Sequence, residues 1–270
     1  MKASGLWSSV SGVALALVFF SLGASPATMT LVSVEQEIAV GKQANAQFRK
    51  ETPELKDPAV AHYVSDVGRR LARAATGPKY PYSFTIADTR DINALALPGG
   101  PVWIYRGVLE KATNESQVAS VLAHEIAHVA SRHAAAQLTR VAMTRWGLNL
   151  LGSLLGNTGG AGGAQVAAEF LANGARLRFS RDEEREADRV GLALMSRAGW
   201  DGRGMVEMFE ILKKESGRNP TAVEAFFSTH PTPQERIKEL SAIVATHRTG
   251  RRDSREFQVM KKRVHNRKRG

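Results

Sequence analysis

The chain has 270 residues, of which 43% are hydrophobic, and this length is enough for one domain with a sizeable core. It contains no cysteine, which excludes disulfide bonds, a cysteine-ligated metal site, a thiol nucleophile and a lipid-modified N-terminal cysteine. The formal net charge is +11, and most of this excess lies near the C-terminus.

The first 27 residues are predicted to be an export signal. Lys2 supplies the positive charge, an apolar run follows from Val13 to Phe20, and Leu22-Gly23-Ala24 or Ser25-Pro26-Ala27 offers a small-residue cleavage site. The apolar run is short for a membrane span, so an uncleaved anchor is the alternative. The segment predicts an exported protein of the periplasm or cell envelope, with membrane association left open, and it disfavours nucleic acid as a partner.

Two amphipathic helices and three short strands are predicted next. The helices run from Val34 to about Glu51 and from Pro58 to about Ala75. The strands, at Tyr82 to Ile86, Ile92 to Leu97 and Val102 to Tyr105, are joined by turn residues. We expect them to form a small antiparallel sheet beside the helix that follows.

That helix carries the most informative motif of the chain. It opens with the capping-box-like segment Asn114 to Gln117, and His124, Glu125 and His128 then form the pattern H-E-x-x-H. Positions i and i+4 share one face of a helix, so both imidazoles can bind one ion, while Glu125 can reach a water on that ion. This is the arrangement of zinc peptidases. The alternative is that the histidines only line a core, which would leave buried polar groups without a partner.

A catalytic zinc site needs a third protein ligand. In metzincins this ligand is a histidine six residues after the second histidine, but Ala134 occupies that position, and His133 would face elsewhere on the helix. A later helix, which begins at the capping box of Ser180 and Glu183, offers a better candidate.

Glu184 and Asp188 lie one turn apart on this later helix. Glu184 can bind the metal, and Asp188 can orient a ligand histidine from behind. The alternative is that Glu183, Glu184 and Glu186 only stabilise the positive end of the helix dipole. Next to the H-E-x-x-H helix, the ligand role is favoured.

An apolar, glycine-rich segment separates the two helices. Leu138 to Leu155 and Ala164 to Ala172 are predicted helices that flank the glycines of 156–163. Because glycine frees the backbone, we predict a mobile flap over the cleft at Gly147 to Leu171; a helix pair with an ordinary linker is the alternative. Further helices are predicted at about Gly204 to Lys214, Ala222 to Phe227 and Pro233 to Ala245.

The last 24 residues are strongly basic. They hold ten Lys and Arg and two acidic residues, which is +8 of the net charge. Such a block is typical of a solvated, disordered tail. On an exported protein it could bind an anionic membrane surface.

Four motifs in this order resemble the zinc endopeptidases related to the CaaX prenyl protease, in particular their soluble periplasmic BepA-like and LoiP-like members. The motifs are the strand-turn-strand of Asn93 to Ile104, the H-E-x-x-H helix followed by Arg132-His133, the segment Ser180 to Asp188, and Thr229-His230-Pro231 with Arg236 further on. The resemblance runs from about Val34 to about Val244. It implies an α+β, mostly α-helical, gluzincin-type core with one zinc ion held by His124, His128 and Glu184. We therefore expect a zinc metallopeptidase domain over 28–246, between the export signal and the basic tail of 247–270.

These residues predict hydrolysis of peptide bonds. Zinc would lower the pKa of its bound water to about 7, making it the nucleophile, and Glu125 would serve as general base and then as general acid. The resemblance implies that His230 assists the developing oxyanion, or fills the open zinc position in a resting state; the alternative is a surface turn residue. Arg236 could pair with an acidic residue that the sequence does not identify.

The strand of Val102, Trp103, Ile104 and Tyr105 is predicted to bind substrate along its edge, because extended peptides add to such edges by main-chain hydrogen bonds. An ordinary buried strand is the alternative. The expected partner is an unfolded or extended polypeptide, and the favoured function is a zinc endopeptidase acting on misfolded or unassembled cell-envelope proteins. A chaperone-like envelope binding protein with weak or latent proteolysis is the second hypothesis, against which the intact base Glu125 argues. An adaptor that uses the basic tail is the third, against which the complete ligand set argues.

Overall fold

The computed structural model describes residues 30–142, 179–230, 233–245 and 250–266. This part of the chain forms ten helices around one three-stranded sheet, so the predicted α+β, mostly α-helical class is confirmed. In chain order the elements are α1 (Val34–Glu51), α2 (Pro58–Arg73), β1 (Ser83–Ala87), β2 (Ala94–Ala96), β3 (Pro101–Tyr105), α3 (Arg106–Lys111), α4 (Glu115–Ala130), α5 (His133–Ala142), α6 (Arg181–Arg197), α7 (Arg203–Arg218), α8 (Thr221–Thr229), α9 (Pro233–Ala245) and α10 (Arg255–Asn266).

Side-chain caps fix where the two helices with the predicted ligands begin. The Asn114 side chain accepts a hydrogen bond from the Gln117 N–H at the start of α4. Ser180 and Glu183 form a reciprocal capping box at the start of α6. These caps satisfy amide groups that have no partner inside the helix. They therefore set which residues of α4 and α6 face the centre of the molecule.

The sheet is mixed, with β3 in its centre. β3 pairs in parallel with β1 and antiparallel with β2, so the prediction of a purely antiparallel sheet is wrong for one of the two pairings. Val102, Trp103 and Ile104 are buried, and strands flank β3 on both sides. The prediction that Val102 to Tyr105 offers a free edge to substrate is therefore wrong. Apolar alternation is the same in central and edge strands, and strand order here does not follow sequence order, so the pattern could not separate the two.

Helix α4 lies in the middle of the core, where it contacts β2, β3, α2, α6 and α7. Its side chains Val118, Leu122 and Ile126 are fully buried. Each such burial contributes about 1.5–3 kcal/mol. α6 approaches α4 closely at Gly191, where a Cβ would lie 3.4 Å from the backbone of Ala123. This close packing brings the first two turns of α6 beside the histidines of α4.

The C-terminal residues do not form the predicted disordered tail. Within the described residues 250–266, α10 packs on α2 and α3 and buries Phe257 and Val264. Ion pairs join the segment to the rest of the domain at Arg251–Glu115, Arg252–Glu207 and Arg263–Asp57. The basic composition hid this helix because few of its residues face the core. The folded domain therefore extends beyond 246, to at least Asn266.

Two other helices differ from the prediction. α3 was not predicted, and α5 begins at His133 instead of Leu138. The export signal of 1–27, the proposed flap at Gly147 to Leu171 and the predicted helix at Ala164 to Ala172 lie outside the described residues. Among the helices that are described, none is both long and apolar enough to cross a membrane.

Candidate metal centre

Four buried side chains from three helices converge at one point. His124 and His128 come from α4, Glu184 from the beginning of α6, and His230 from the C-terminal end of α8. One nitrogen or carboxylate oxygen of each lies within 4.8 Å of the others. The fold thus brings the three sequence-predicted ligands together and adds His230 to them.

The spacing of these atoms suits a small metal ion. His124 Nε2 and His128 Nε2 are 3.0 Å apart, and each lies 3.5 Å from a carboxylate oxygen of Glu184. Ligand atoms at about 2.0–2.1 Å from a tetrahedral ion lie roughly 3.3 Å from one another, so the observed separations are close to what such an ion requires. Imidazole and carboxylate donors are those that zinc and several other transition metals accept. The residues present therefore fit a bound metal ion.

Asp188 and Arg236 support this cluster from behind. Arg236 Nε and Nη2 each donate to the Asp188 carboxylate at 2.7 Å, and Nη1 lies 2.5 Å from Glu184 Oε2. Asp188 Oδ1 is in turn 3.2 Å from His124 Nδ1. This bidentate pairing fixes Asp188. Because Asp188 contacts Nδ1 of His124, the Nε2 atom of the same ring faces the centre. The acidic partners of Arg236, which the sequence left open, are thus Asp188 and Glu184.

His128 is held by a residue that the sequence analysis placed elsewhere. His133 Nδ1 lies 2.9 Å from His128 Nδ1, and both rings are buried. Glu186 lies behind His133, with Oε2 3.6 Å from Nε2. The prediction that His133 faces away assumed one continuous helix, but α4 ends at Ala130, and the turn at Ser131-Arg132 redirects the chain. Only the Arg132-His133 pair after the motif could have pointed to this role.

Glu125 lies beside the cluster and is fully buried. Its Oε1 is 3.8 Å from His230 Nε2, and its Oε2 has no hydrogen-bond partner among the described atoms. Burial raises the pKa of Glu125, and the nearby imidazoles of His230 and His124 offset part of this effect. The backbone N–H of Ala96 on β2 also interacts with this carboxylate. One carboxylate oxygen is therefore free to meet a substrate or a water.

His230 occupies a place between the ligands and Glu125. Its Nδ1 lies 2.8 Å from Glu184 Oε1 and 3.4 Å from His124 Nε2. Its ring stacks on Phe226, with the centroids 4.8 Å apart. His230 is buried, so the alternative of an exposed turn residue is wrong.

The electrostatic environment of the site favours a bound cation. Burial would raise the pKa of Glu184, but His230 and His124 hold it well below its ordinary value. Burial would lower the pKa of His124, but hydrogen bonds to Asp188 and Glu184 raise it to about 9. The pKa of His128 is well below its usual value because of burial and the charge of His124. A metal ion at this centre would compete with a proton for His124, because a ligand imidazole must be free of a proton on the nitrogen that binds.

An apolar cavity of about 30 Å³ opens beside His124 and Glu125, between α4 and α7. Apart from those two residues, its lining is formed by Ser120, Val121, Met205, Met208, Phe209, Leu212 and Phe226. The two methionines are flexible and can adapt to an inserted group.

The edge of the sheet nearest to Glu125 belongs to β2. The Leu97 N–H donates to the Pro101 carbonyl at 2.8 Å across the β2–β3 pair. In an antiparallel ladder neighbouring residues alternate in direction, so the main-chain groups of Ala96 point away from β3 and toward the site. Strand β2 therefore turns the main-chain groups of Ala96 toward the site, on the side that no other strand of the described sheet covers.

The chain is similar in sequence to known metallopeptidases. The sequence pattern of peptidase family M48 matches residues 58–244. The chain is 32% identical over 214 residues to the beta-barrel assembly-enhancing proteases of Escherichia coli K12 and of Yersinia pestis, which covers 77% of this chain and 44% of each relative. It is 33% identical over 178 residues to the mitochondrial metalloendopeptidase OMA1 of Schizosaccharomyces pombe, which covers 66% of this chain and 51% of that protein. The chain thus spans less than half of the length of the bacterial relatives.

Proposed function

Because the chain belongs to peptidase family M48, we propose that it is a zinc-dependent endopeptidase. The observation that carries the proposal is the buried set of His124, His128 and Glu184, with the carboxylate of Glu125 beside it. Three protein ligands of this kind leave one position of tetrahedral zinc open, as catalytic zinc sites require. Asp188 and His133, which face the remaining ring nitrogens of the two histidines, support the same assignment.

Bound zinc would supply a water with a pKa of about 7 and would polarise the scissile carbonyl. Glu125 accepts the proton of the attacking water and later delivers it to the leaving amine. Its raised pKa supports this double role, because a carboxyl that must both take and give a proton works best when its pKa approaches the working pH. Its free Oε2 is the atom we assign to the proton.

His230 is proposed to donate a hydrogen bond to the oxyanion through Nε2, the nitrogen that lies toward Glu125. The Nδ1 atom of His230 lies close to Glu184 and His124, where it could fill the open metal position. This position supports a second candidate function, a chaperone-like envelope binding protein with latent proteolysis. His230→Ala separates the two. Loss of turnover supports the oxyanion role, and a gain in turnover supports the latent form.

We propose that the substrate is an extended polypeptide that adds to the outer edge of β2. Main-chain hydrogen bonds to such an edge make little demand on sequence, which suits unfolded proteins. Ala96 would place the scissile bond within reach of Glu125, since its main-chain groups point to that side. The names of the bacterial relatives support misfolded or unassembled cell-envelope proteins as the substrates.

The apolar cavity beside Glu125 supports a preference for an apolar side chain next to the scissile bond. It is small, about 30 Å³, and is walled partly by Met205 and Met208. A small side chain would fit with little movement, and a larger one would require the methionines to shift.

We place the protein in the periplasm or cell envelope, supported by the apolar start of the sequence and the bacterial relatives. Contact with an anionic membrane would use the exposed cations of α10, such as Arg255 and Lys262, because Arg251, Arg252 and Arg263 pair with the domain. Reversing the charge of Arg255 and Lys262 should weaken co-sedimentation with anionic vesicles at low salt, and an unchanged result would contradict this contact.

The function is tested with the purified protein and an unfolded reporter protein. We expect cleavage that stops when the metal is removed with a chelator and returns on addition of zinc, with about one zinc ion per chain by elemental analysis. Tight binding of the reporter without cleavage by the zinc-loaded protein, with cleavage gained in His230→Ala, would favour the latent binding protein instead.

A further inference from the structure

The second metal ligand, His128, depends on an interaction outside the H-E-x-x-H motif. A neutral histidine has one nitrogen that donates and one that accepts a hydrogen bond. Nε2 of His128 faces the centre, and Nδ1 of His128 lies 2.9 Å from His133 Nδ1. With a metal on Nε2, the His128 Nδ1 would carry the proton and would donate to His133 Nδ1. His133 therefore sets both the tautomer and the ring orientation of His128, a task that Asp188 performs for His124.

His133 is in turn held by an unusual backbone corner. Arg132, the residue before it, has φ +60°, and it is the one non-glycine residue with positive φ in the described part of the chain. Residues with a side chain seldom adopt this conformation, for which glycine is better suited. The side chain of Arg132 explains the choice, because Nε donates to Glu37 Oε2 at 3.0 Å and Nη2 donates to the Val32 carbonyl.

Glu37 is the residue that binds the side chain of Arg132. It lies on α1, before the residues that match the family, and it is completely buried. The same oxygen that binds Arg132 also accepts the Tyr80 hydroxyl at 2.7 Å, while Oε1 has no hydrogen-bond partner among the described atoms. A buried carboxylate is costly unless it is paired, so Glu37 and Arg132 hold each other strongly in place.

We propose that Glu37, acting through Arg132 and His133, is a positioning residue for the metal ligand His128. The helix α1 then helps to hold a metal ligand in place, although none of its residues touches the metal site. The inference rests on the proposed function in one respect, namely that the centre binds zinc.

The test measures zinc affinity by competition with a coloured chelator, together with the thermal midpoint of each metal-free protein. His133→Leu removes the acceptor, whereas His133→Asn keeps an oxygen near the place of Nδ1. We expect His133→Leu to weaken zinc binding about 10–100-fold, as loss of such supporting groups usually does, and His133→Asn to stay close to wild type. Equal affinities of the Leu and Asn variants would overturn the hydrogen-bond role.

Two further variants test the anchor. Arg132→Gly relieves the backbone but leaves the buried Glu37 without its charge partner, so the thermal midpoint of the metal-free protein should fall. Zinc affinity, measured below that midpoint, should fall about tenfold or more. The zinc affinity of Glu37→Gln should fall by a similar factor. Glu35→Gln removes an exposed charge from the same helical turn and should bind zinc like wild type. Wild-type affinity in Arg132→Gly or Glu37→Gln would overturn the anchor. Failure of the wild-type protein to bind zinc would overturn the proposed function itself, which is a separate result.

Discussion

Replacing Phe257 by alanine should destabilise the whole domain, although this residue lies in the basic segment that the sequence predicted to be disordered. The ring is 1% exposed and packs beside Tyr63 of α2, with the ring centroids 6.5 Å apart. Truncation of a buried phenylalanine to alanine costs about 3–5 kcal/mol, from lost burial and the cavity that remains. In a domain of this size each kcal/mol lowers the midpoint by about 2–4 °C, so we expect a decrease of roughly 6–20 °C.

The assay is thermal and urea-induced unfolding of the metal-free protein, followed by circular dichroism. Val259→Ala is the matched control, because Val259 lies on the same helix and is 50% exposed. Its free energy of unfolding should change by no more than about 0.5 kcal/mol. If Phe257→Ala unfolds at the same midpoint as Val259→Ala, then α10 is not part of the cooperative domain, and the packing argument fails.

The same packing predicts that removal of the segment 250–266 is more damaging than loss of a tail. Phe257 and Val264 would both leave the core. The start of α4 would lose the hydrogen bonds from the Ser116 N–H to the Arg252 carbonyl at 2.8 Å and from the Glu115 N–H to Asp253 Oδ1 at 3.1 Å. The Glu115 side chain would lose the Ser254 hydroxyl at 2.8 Å and its ion pair with Arg251. Since α4 carries the metal ligands, truncation should impair metal binding as well as stability.

The remaining predictions concern the site. Glu125→Gln should lower cleavage by about 10²–10⁴-fold with zinc still bound, because the amide cannot take a proton; normal turnover in the zinc-loaded variant would remove Glu125 from the mechanism. Glu184→Ala should lose most of its zinc on dialysis against a weak chelator. Glu183→Ala should retain its zinc, because it loses a helix cap worth about 1 kcal/mol and an ion pair with Arg140 but no proposed ligand; the opposite result would reassign the ligand. The zinc affinity of Asp188→Asn should lie between those of the two glutamate variants, about 10–100-fold below wild type. An unchanged affinity would contradict the proposed support of His124 by Asp188. Met208→Ala should shift cleavage of a peptide library toward larger apolar side chains, and an unchanged profile would show that the cavity does not receive the substrate.

The helix positions of the predicted ligands could be found from sequence because each depends on local geometry. The i, i+4 spacing of His124 and His128 fixes their common face once the segment is helical. The capping box at Ser180 fixes the start of α6, and with it the position of Glu184. These relations need no knowledge of the rest of the fold, which is why the boundaries of α4 and α6 agree closely with the prediction.

The parts that were missed depend on tertiary structure. The position of β3 between β1 and β2 follows from how the strands are ordered, and the apolar pattern of Val102 to Ile104 is equally suited to an edge. His133 reaches His128 only because the chain turns at Arg132, whose positive φ is rare for a residue with a side chain. Phe257 and Val264 are two apolar residues in a basic segment, and their burial depends on a surface formed by distant helices.

The charges around the centre link the proposed metal site to the proposed base. The carboxylates of Glu184 and Asp188 face Arg236 and the imidazole of His124, while burial raises the pKa of Glu125. A divalent cation held by His124, His128 and Glu184 would add positive charge close to the Glu125 carboxyl group. Nearby positive charge favours the ionised form of a carboxyl group. A bound metal would therefore oppose the effect of burial on Glu125 and favour the carboxylate form, which is the form that accepts a proton.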